Sequence, residues 1–448
     1  MEFEIDLNEL NKILKPKKKA NLSNNIFSGV VINSKEAKKP NIFVALRGAS
    51  KDGHKFVGEA IQNGATLSIV DRDADRYPYL MVDDTNIALK KLAKWYREKS
   101  NADVFAVVGS SGKTTTKEIL SSILSTRTTV HKTYINENNW IGVSKTLLKL
   151  NPNHRVCVVE CGTNHVGEIK DISDVLKPDG VVFTNIGITH IGNFKSVDRL
   201  IEEKLSILNN TRGKLIAYNL DDKNLQKIKN RNFVTFSLYN TKADVYIKSY
   251  EKKKGMLHFD IAAFSEHIKI NVKGNLINTY NILAATAFSK SYIPTISSSD
   301  IETGVNSAQS QPYRMQREHI GKTNFILDCY NSNPDSLKYA VEVVAAMNGR
   351  KLYIIGDMFE LGDMSKQLHS KSGEFLSNFD VDIIGYGNDA HYIVDIFKNR
   401  SKNYAKFFDS FNKMIDEIYN IYRKYSVVLI KGSRSLKMEN IFYALQRR

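Results

Sequence analysis

The sequence predicts an α/β protein built from three domains. Short runs of β-branched and aliphatic residues alternate with helical patterns along the chain, which is typical of α/β folds. Of the 448 residues, 42% are hydrophobic and only 8 are proline, so the chain can bury several cores of about 100–200 residues each. Strand-like runs restart after residue 84 and again after the turn-rich stretch 307–313. We therefore expect domains at residues 1–84, 85–309 and 310–448.

The first domain contains four strand-like runs and one helical pattern. The runs cover residues 29–32, 42–46, 66–70 and 79–82, and the helical pattern covers 56–63. This alternation within a short segment predicts a small α/β unit.

The second domain opens with a helix that is followed by a buried strand. The segment IALKKLAKWYREK, residues 87–99, has a helical pattern, and the apolar run 104–108 leads directly into a glycine-bearing turn and another helix. Further buried-type strands cover 156–160, 181–184 and 215–218. The spans between them have the length of right-handed βαβ crossovers, so we expect a mostly parallel sheet.

The third domain repeats the alternation of buried strands and helices. Its strand-like runs cover residues 324–327, 352–355, 382–384 and 427–430. We expect a third α/β domain.

The charge of the chain leaves several kinds of partner open. There are 64 Lys and Arg residues against 48 Asp and Glu residues, a net charge of +16. This excess fits a nucleic acid, an anionic membrane surface, a phosphorylated small molecule or a lysine-rich composition alone. The densest basic run, residues 15–19, is interrupted by Pro16 and is typical of a solvated turn.

Neither a membrane span nor a secretory leader is expected. No apolar stretch reaches about 18 residues, and the first ten residues alternate acidic with apolar side chains. We expect a cytoplasmic protein. Its three cysteines, Cys157, Cys161 and Cys329, are too few for a disulfide framework or a four-ligand zinc site, so we expect buried thiols.

The most specific motif is a glycine-bearing loop between the strand 104–108 and the next helix. It comprises Gly109, Ser110, Ser111, Gly112, Lys113, Thr114 and Thr115. In such a loop the backbone N–H groups and the helix N-terminus bind phosphate, Lys113 reaches the outer phosphates, and the Thr114 hydroxyl is placed to ligate Mg²⁺. The motif is G-x-x-G-K-T, shorter than the full G-x-x-x-x-G-K-[ST] pattern, because Val107 stands where the first glycine would be. We interpret it as a nucleotide-binding loop.

Two further strand ends carry groups that bind metals. Glu160 ends the run 156–160, and His190 follows the run 181–184. Because ligands bind at the carboxyl ends of parallel strands, both side chains should project toward the crevice that holds the phosphates.

Taken in order, these motifs resemble the Mur ligase family of ATP-dependent amide-forming enzymes. The resemblance extends over nearly the whole chain. The matching segments are VINSK (31–35), NIFVALRG (41–48), DGH (52–54), GSSGKTT (109–115), NENNWIG (136–142), ECG (160–162), TNIGITHI (184–191), NTYN (278–281), DCYNSNPDS (328–336), GDMFELG (356–362) and KGSR (431–434).

The resemblance implies a fold and a reaction. The implied fold has a small N-terminal α/β domain for the UDP-linked substrate, a central P-loop ATPase-type domain with a mostly parallel sheet, and a C-terminal Rossmann-like domain that closes over the nucleotide. The YNxNP, GDMxELG and KGSR segments favour the branch that adds D-alanyl-D-alanine to UDP-N-acetylmuramoyl-tripeptide in peptidoglycan precursor synthesis. In this reaction ATP activates the peptide carboxylate as an acyl phosphate, which the amine of D-alanyl-D-alanine then attacks.

The resemblance also implies roles for individual residues. The implied catalytic residues are Lys113, His190 and Lys204, and the implied ligands of two Mg²⁺ ions are Thr114, Glu160, His190 and Lys204, with Lys204 carbamylated by CO₂. ATP would contact the phosphate loop, Asn278 and Asn281 at the adenine, and Arg314 and Asp328 after domain closure. The implied substrate-binding residues are Ser34, Lys35, Arg47, Asn138, Asn139, Tyr330, Asn331 and Asn333.

The chain departs from the family pattern most clearly at Lys35. Relatives have arginine there, and lysine replaces a planar two-pronged donor by a point charge. A carbamate on Lys204 would require a neutral amine, which burial favours.

Two alternatives remain open at this point. One is a related ligase with another acceptor, such as a sister Mur ligase, a folylpolyglutamate synthetase or a cyanophycin-type ligase. The other is a nucleotide-regulated nucleic-acid-binding protein, against which the chain has no zinc-ligand spacing, RNP-like aromatic stripe or helix-turn-helix signature. We expect a monomer with small-molecule substrates and no nucleic-acid partner.

Overall fold

The computed structural model describes residues 4–20, 22, 24–48, 51–74, 76–189, 191–228, 233–253, 256–273 and 279–448. Within these ranges the chain forms one two-stranded pair and three larger sheets.

The N-terminal elements form the smallest of the three larger sheets. They are β1 (Glu4–Asp6), α1 (Leu7–Leu14), β2 (Lys18–Ala20), β3 (Ile26–Ser28), β4 (Val30–Val31), β5 (Asn41–Val44), α2 (Val57–Gln62), β6 (Ala65–Val70) and β7 (Tyr79–Met81). The sheet has the order β2-β7-β6-β5-β4 and is parallel except for β2, and β1 pairs separately with β3. The four predicted strands and the predicted helix are all present, although the first strand is reduced to two residues.

The central elements form a nine-stranded sheet with helices on both faces. They are α3 (Thr85–Lys99), β8 (Asp103–Val108), α4 (Lys113–Leu124), β9 (Val130–Lys132), α5 (Trp140–Leu148), β10 (Val156–Cys161), α6 (Glu168–Leu176), β11 (Gly180–Phe183), α7 (Ile191–Phe194), α8 (Val197–Leu205), β12 (Leu215–Asn219), β13 (Val234–Ser237), β14 (Val245–Lys253), β15 (Met256–Ala263), β16 (Glu266–Lys273), α9 (Thr279–Tyr292) and α10 (Ser298–Ser307).

The order of this sheet is β16-β15-β14-β13-β12-β11-β8-β10-β9. All pairs from β9 to β14 are parallel, whereas β14, β15 and β16 pair antiparallel. The prediction of a mostly parallel sheet is therefore confirmed, but the antiparallel extension was not predicted. Its signal in the sequence is the alternation of buried Ile268, Ile270 and Val272 with polar residues.

The apolar run 104–108 in β8 is explained by burial on both faces of the strand. In β8 the side chains of Val104, Ala106 and Val108 join one hydrophobic core, while Phe105 and Val107 join a second core on the opposite face. A strand that is covered on both faces needs apolar residues at successive positions. This burial places β8 in the interior of the sheet, between β11 and β10 and directly before the phosphate loop.

The C-terminal elements form a six-stranded sheet of Rossmann-like topology. They are β17 (Gln316–Ile320), β18 (Thr323–Asp328), α11 (Pro334–Ala345), β19 (Lys351–Gly356), α12 (Ser365–Leu376), β20 (Asp382–Tyr386), α13 (Ala390–Arg400), β21 (Ala405–Phe408), α14 (Phe411–Ile421), β22 (Val427–Lys431) and α15 (Glu439–Gln446). The order is β17-β18-β22-β19-β20-β21, and only the β17–β18 pair is antiparallel. The predicted α/β class is confirmed here too.

None of the helices in the described ranges combines the length and the apolar character that crossing a bilayer requires.

The three cysteines are buried free thiols, as predicted. Burial raises the pKa of Cys157 and of Cys329 to about 12 and also raises the pKa of Cys161. Because the thiolate is the reactive form, we expect none of the three to react with an aromatic disulfide reagent at pH 8 in the native protein, and all three to react in denaturant. Absorbance of the released thiolate measures this, and stoichiometric labelling before unfolding would contradict the packing described here.

Candidate active site

A cleft of about 930 Å³ lies between the central sheet and the C-terminal sheet. It opens at the carboxyl end of β8, whose neighbours are β10 on one side and β11 on the other. The strand order switches at β8: β9 and β10 lie on one side of it, and β11, β12 and β13 lie on the other. Crevices at such switch points bind ligands in α/β proteins. Both sheets contribute lining residues, so the cleft depends on how the two parts of the chain meet.

The phosphate loop, residues 109–115, is held rigidly against the end of β11. The backbone N–H groups of Ser110 and Ser111 donate to the carbonyl oxygen and to Oδ1 of Asn185, both at 2.9 Å. Gly112 precedes α4 with φ +80°, a conformation that favours glycine. A Cβ on Gly109 would collide with Thr184 Oγ1. The loop therefore needs its glycines. Because the N–H groups of Ser110 and Ser111 are bonded to Asn185, it is the N-terminus of α4 that suits a phosphate group.

Lys113 is directed back onto its own loop. Its Nζ lies 2.8 Å from the carbonyl oxygen of Gly109 and 3.4 Å from that of Ser110. Burial lowers the pKa of its ammonium group, while the carboxylate of Glu160 opposes that shift. The side chain lines the cleft, where it can donate to a phosphate oxygen.

Glu160 is a buried carboxylate with one oxygen left unbonded. It lies at the end of β10 with 1% of its surface exposed, and its Oε1 accepts from Asn138 Nδ2 at 2.7 Å. Its Oε2 has no hydrogen-bond partner within the described part of the chain. A buried carboxylate oxygen without a partner is costly unless a cation occupies the position. Together with the hydroxyl of Thr114, which also lines the cleft, it offers the oxygen ligands that Mg²⁺ prefers.

His190, the other predicted metal ligand, lies outside the described residues. Among the residues that are described, no group of three or more His, Cys, Asp or Glu side chains is arranged to hold a metal ion. The structure thus places Thr114 and Glu160 together, and the complete ligand set stays a prediction.

Lys204 is buried behind the phosphate loop. It is 2% exposed, and its Nζ donates to the carbonyl oxygen of Gly109 at 3.2 Å. Burial, and then the positive charge of Lys113, hold the pKa of Lys204 well below its ordinary value. The adjacent Glu203 instead accepts from the N–H groups of Gly167 and Ile169, both at 2.7 Å. The amine is thus placed beside the phosphate loop in surroundings that favour its neutral form.

Asn281 lies in the first turn of α9, against the phosphate loop. It is buried, and its Oδ1 accepts from Thr116 Oγ1 at 3.2 Å. The same oxygen faces Gly112 so closely that a Cβ there would clash with it. Asn278, its predicted partner at the adenine, lies outside the described residues.

The C-terminal residues predicted to contact ATP approach the cleft in two pairs. The guanidinium group of Arg314 lies 4.0 Å from the ring centroid of Tyr330. Asp328 forms an ion pair of 2.6 Å with Lys431, whose Nζ also donates to the carbonyl oxygen of Asn331 at 3.2 Å. Lys431 belongs to the KGSR motif but is not among the predicted site residues. The structure makes it the buried cation that joins β22 to the cleft.

Two contacts join the C-terminal domain to the phosphate loop and the strand end beside it. Asn333 Nδ2 donates to Ser111 Oγ at 3.2 Å, and the N–H of Ile188 donates to Asp335 Oδ2 at 3.2 Å. Burial raises the pKa of the Asp335 carboxyl group, which packs directly on Gly187. Asp335 was not predicted, although the DCYNSNPDS segment contains it.

The predicted N-terminal substrate residues do not line this cleft. Ser34 is buried and donates to Glu59 at 2.7 Å, Lys35 is exposed, and Arg47 pairs with Asp71 at 3.0 Å. By contrast, Asn138 and Asn139 do line the cleft, and Asn139 Oδ1 also caps α5 by accepting from the N–H of Gly142. Among the described residues, the nucleotide and metal candidates therefore lie in the cleft or, for Lys204, behind the phosphate loop, whereas the candidates of the first domain lie apart from them.

Comparisons with known proteins cover almost the whole chain. Three family models match it: the Mur ligase family catalytic domain over residues 26–103, the Mur ligase middle domain over 107–289, and the Mur ligase glutamate ligase domain over 313–434. The UDP-N-acetylmuramoyl-tripeptide–D-alanyl-D-alanine ligase of Bacillus subtilis is 30% identical over 431 residues, which are 93% of this chain and 92% of that protein. The Escherichia coli enzyme of the same name is 32% identical over 417 residues, or 90% of each chain.

Solved structures agree with these matches. A crystal structure of MurF from Acinetobacter baumannii superposes with a TM-score of 0.89 at 28% identity, covering 100% of both chains. The MurF ligase of Thermotoga maritima, solved in complex with ADP, superposes with a TM-score of 0.82 at 27% identity, covering 94% of this chain and 97% of that one.

Proposed function

The chain belongs to the Mur ligase family, and from that membership we propose that it joins D-alanyl-D-alanine to UDP-N-acetylmuramoyl-tripeptide with the use of ATP. The relatives that match over nine-tenths of their length carry this activity in their names. The chain is thus a ligase that forms a carbon–nitrogen bond in peptidoglycan precursor synthesis.

The reaction has two steps that balance in atoms and charge. A carboxylate oxygen of the tripeptide attacks the γ-phosphorus of ATP, a new P–O bond forms, and ADP leaves with the bridging oxygen. The amine of D-alanyl-D-alanine then attacks the acyl carbon, a C–N bond forms, and inorganic phosphate leaves as the amine releases one proton.

The phosphate loop accounts for the first step. The N-terminus of α4, which follows the loop, binds the phosphates, and Lys113 offsets the negative charge that develops on the transferring phosphoryl group. Because the cleft is lined from two sheets, its shape depends on how the C-terminal domain lies on the loop.

We propose that two Mg²⁺ ions are held at the cleft by Thr114, Glu160, His190 and a carbamylated Lys204. When bound, Mg²⁺ neutralises charge on the phosphates and acts as a Lewis acid. The unbonded Glu160 Oε2 supports a cation there, and the lowered pKa of Lys204 supports the neutral amine that reacts with CO₂. A carbamate would convert this amine into an anionic oxygen ligand.

We place the adenine near Asn278 and Asn281, and the nucleotide contacts of the closed state at Arg314 and Asp328. We place the UDP-linked substrate along Ser34, Lys35 and Arg47, and the peptide ends near Asn138, Asn139, Tyr330, Asn331 and Asn333. One chain supplies all of these residues, so we propose a monomer, acting in the cytoplasm where ATP and UDP-linked precursors occur.

The observation that carries the assignment is the contact between Asn333 and Ser111. It seats the YNSNP segment, which distinguishes this branch of the family, on the phosphate loop. Acceptor choice therefore belongs to the same cleft as phosphoryl transfer.

Mass spectrometry of the product tests this proposal. The purified protein is incubated with ATP, Mg²⁺, UDP-N-acetylmuramoyl-tripeptide and an equimolar mixture of D-alanyl-D-alanine, D-glutamate, L-lysine and diaminopimelate. We expect one product, heavier than the tripeptide precursor by one D-alanyl-D-alanine residue pair. A product that carries a single amino acid, or an unchanged precursor, would contradict this assignment.

A further inference from the structure

A buried lysine outside the predicted site, Lys117, makes three polar contacts. It lies one turn after Lys113 on α4 and is 0% exposed. Its Nζ donates to the carbonyl oxygens of Thr133 and Ile135 at 2.8 and 2.6 Å and pairs with Glu118 Oε1 at 2.9 Å. Two of the three ammonium protons thus have carbonyl acceptors, and the ion pair with Glu118 balances the charge.

The segment 133–138 that receives these bonds is held in a strained conformation. Ile135 has φ +47°, in the left-handed region that β-branched residues avoid. Such a residue persists only where its surroundings determine its position, and the bond from Lys117 to its carbonyl oxygen supplies that constraint.

The same segment touches Glu160 at two points. The backbone N–H of Glu160 donates to Thr133 Oγ1 at 3.0 Å, and Asn138 Nδ2 donates to Glu160 Oε1 at 2.7 Å. The carbonyl oxygen of Asn138 also accepts from the N–H of Gly162 at 2.8 Å. The segment thereby fixes both the backbone and the carboxylate of Glu160, while Oε2 has no hydrogen-bond partner among the described residues.

We propose that Lys117 is a positioning residue for the metal-facing carboxylate. It anchors segment 133–138, and that segment orients Glu160 so that one oxygen is bonded by Asn138 while the other faces the cation. This inference rests on the proposed function in one respect, the assignment of Glu160 as a magnesium ligand. Lys117 itself does not touch substrate or metal.

Groups that orient metal ligands affect metal affinity by about 10–100-fold when they are replaced. A lysine that only stabilises the fold would leave metal affinity unchanged. The chain offers a matched control in Lys290, which is 7% exposed and donates to the carbonyl oxygens of Pro294 and Ile296 at 2.8 and 3.1 Å while pairing with Glu266 at 2.8 Å. Each of these two lysines donates to two carbonyl oxygens and pairs with one carboxylate. Of the two, Lys117 is the one connected to Glu160, through segment 133–138.

The test measures how much Mg²⁺ strengthens the binding of ADP. Isothermal titration calorimetry gives the dissociation constant of ADP with and without MgCl₂ for the wild type and for Lys117→Met, Lys290→Met and Glu160→Gln. We expect the strengthening by Mg²⁺ to fall by about tenfold or more in Lys117→Met and Glu160→Gln, and to stay at the wild-type value in Lys290→Met.

The variants distinguish a failure of the role of Lys117 from a failure of the assignment of Glu160 as a metal ligand. A folded Lys117→Met with wild-type strengthening, beside a Glu160→Gln that loses it, overturns the role of Lys117 and leaves the metal assignment intact. Wild-type strengthening in Glu160→Gln overturns the metal assignment and this inference with it. An equal loss in Lys290→Met reduces Lys117 to a structural residue and also overturns the inference.

A milder variant guards against a Lys117→Met that does not fold. Thr133→Val keeps the side-chain volume and removes only the oxygen that accepts from the N–H of Glu160. We expect it to lower the strengthening by Mg²⁺ in the same direction. If Mg²⁺ strengthens ADP binding to this variant as much as to the wild type, the proposal that segment 133–138 links Lys117 to Glu160 is wrong.

Discussion

Replacing Lys113 by alanine is expected to lower turnover by on the order of 10³-fold or more. The ammonium group is the cation that the phosphate loop itself places in the cleft, and within the described ranges it donates to carbonyl oxygens of the same loop. Its removal should therefore cost little folding stability while it removes the main counter-charge of the transferring phosphoryl group. Steady-state phosphate release measures the loss.

Lys290→Met is the appropriate control for this variant, because it removes a buried ammonium group remote from the cleft. We expect it to retain turnover within a few fold of the wild type, and thermal melting should show that Lys113→Ala is folded. Turnover of Lys113→Ala at the wild-type rate would contradict the assignment of residues 109–115 as the phosphate loop.

Replacing Lys204 by alanine is expected to produce the second large loss, and one that can be partly reversed. If a carbamate on Lys204 supplies an anionic oxygen, alanine removes that oxygen and leaves a space beside Gly109. A short carboxylic acid such as acetate can enter this space and supply the missing oxygen. We expect turnover to fall by about 10²-fold or more and to recover at least several-fold as acetate is added.

The lowered pKa of Lys204 also sets the direction of a pH effect. Because the neutral amine is the form that reacts with CO₂, it should be available at a lower pH than for an exposed lysine. Bicarbonate should therefore stimulate the wild type near neutral pH, and it should not stimulate Lys204→Ala. A Lys204→Ala variant with undiminished turnover would refute the carbamate, and acetate rescue of Lys113→Ala would show that rescue is not specific to this position.

The parts of the fold that depend on burial were predictable from the sequence. The run at 104–108 is apolar at every position because β8 is covered on both faces, and the strands after it obey the same rule. The antiparallel strands β14–β16 were missed because their signal is an alternation, weaker than a continuous apolar run.

The candidate site was predictable where a local motif demands a conformation. Gly112 has a positive φ, and the glycine spacing of the G-x-x-G-K-T motif predicts a glycine-dependent turn at this position. The contact between Asn333 and Ser111 joins residues 222 positions apart, and no local pattern announces such a pair. The free oxygen of Glu160 and the anchoring by Lys117 likewise arise only when α4, the segment 133–138 and β10 pack together.

The net charge of the chain also could not identify the partner from the sequence alone. The net charge of +16 left nucleic acid open as a partner. In the described part of the chain, the Lys and Arg residues that line the cleft are Lys113, Arg314, Lys338 and Lys431. These suit small polyanions such as ATP and a UDP-linked peptide.

Phosphate release from ATP, measured with each substrate omitted in turn, tests the proposed activity most directly. We predict that rapid release requires UDP-N-acetylmuramoyl-tripeptide and D-alanyl-D-alanine together, with one phosphate formed for each pentapeptide product. Release that proceeds equally well without the dipeptide, or that nucleic acid stimulates in place of these substrates, would contradict the assignment.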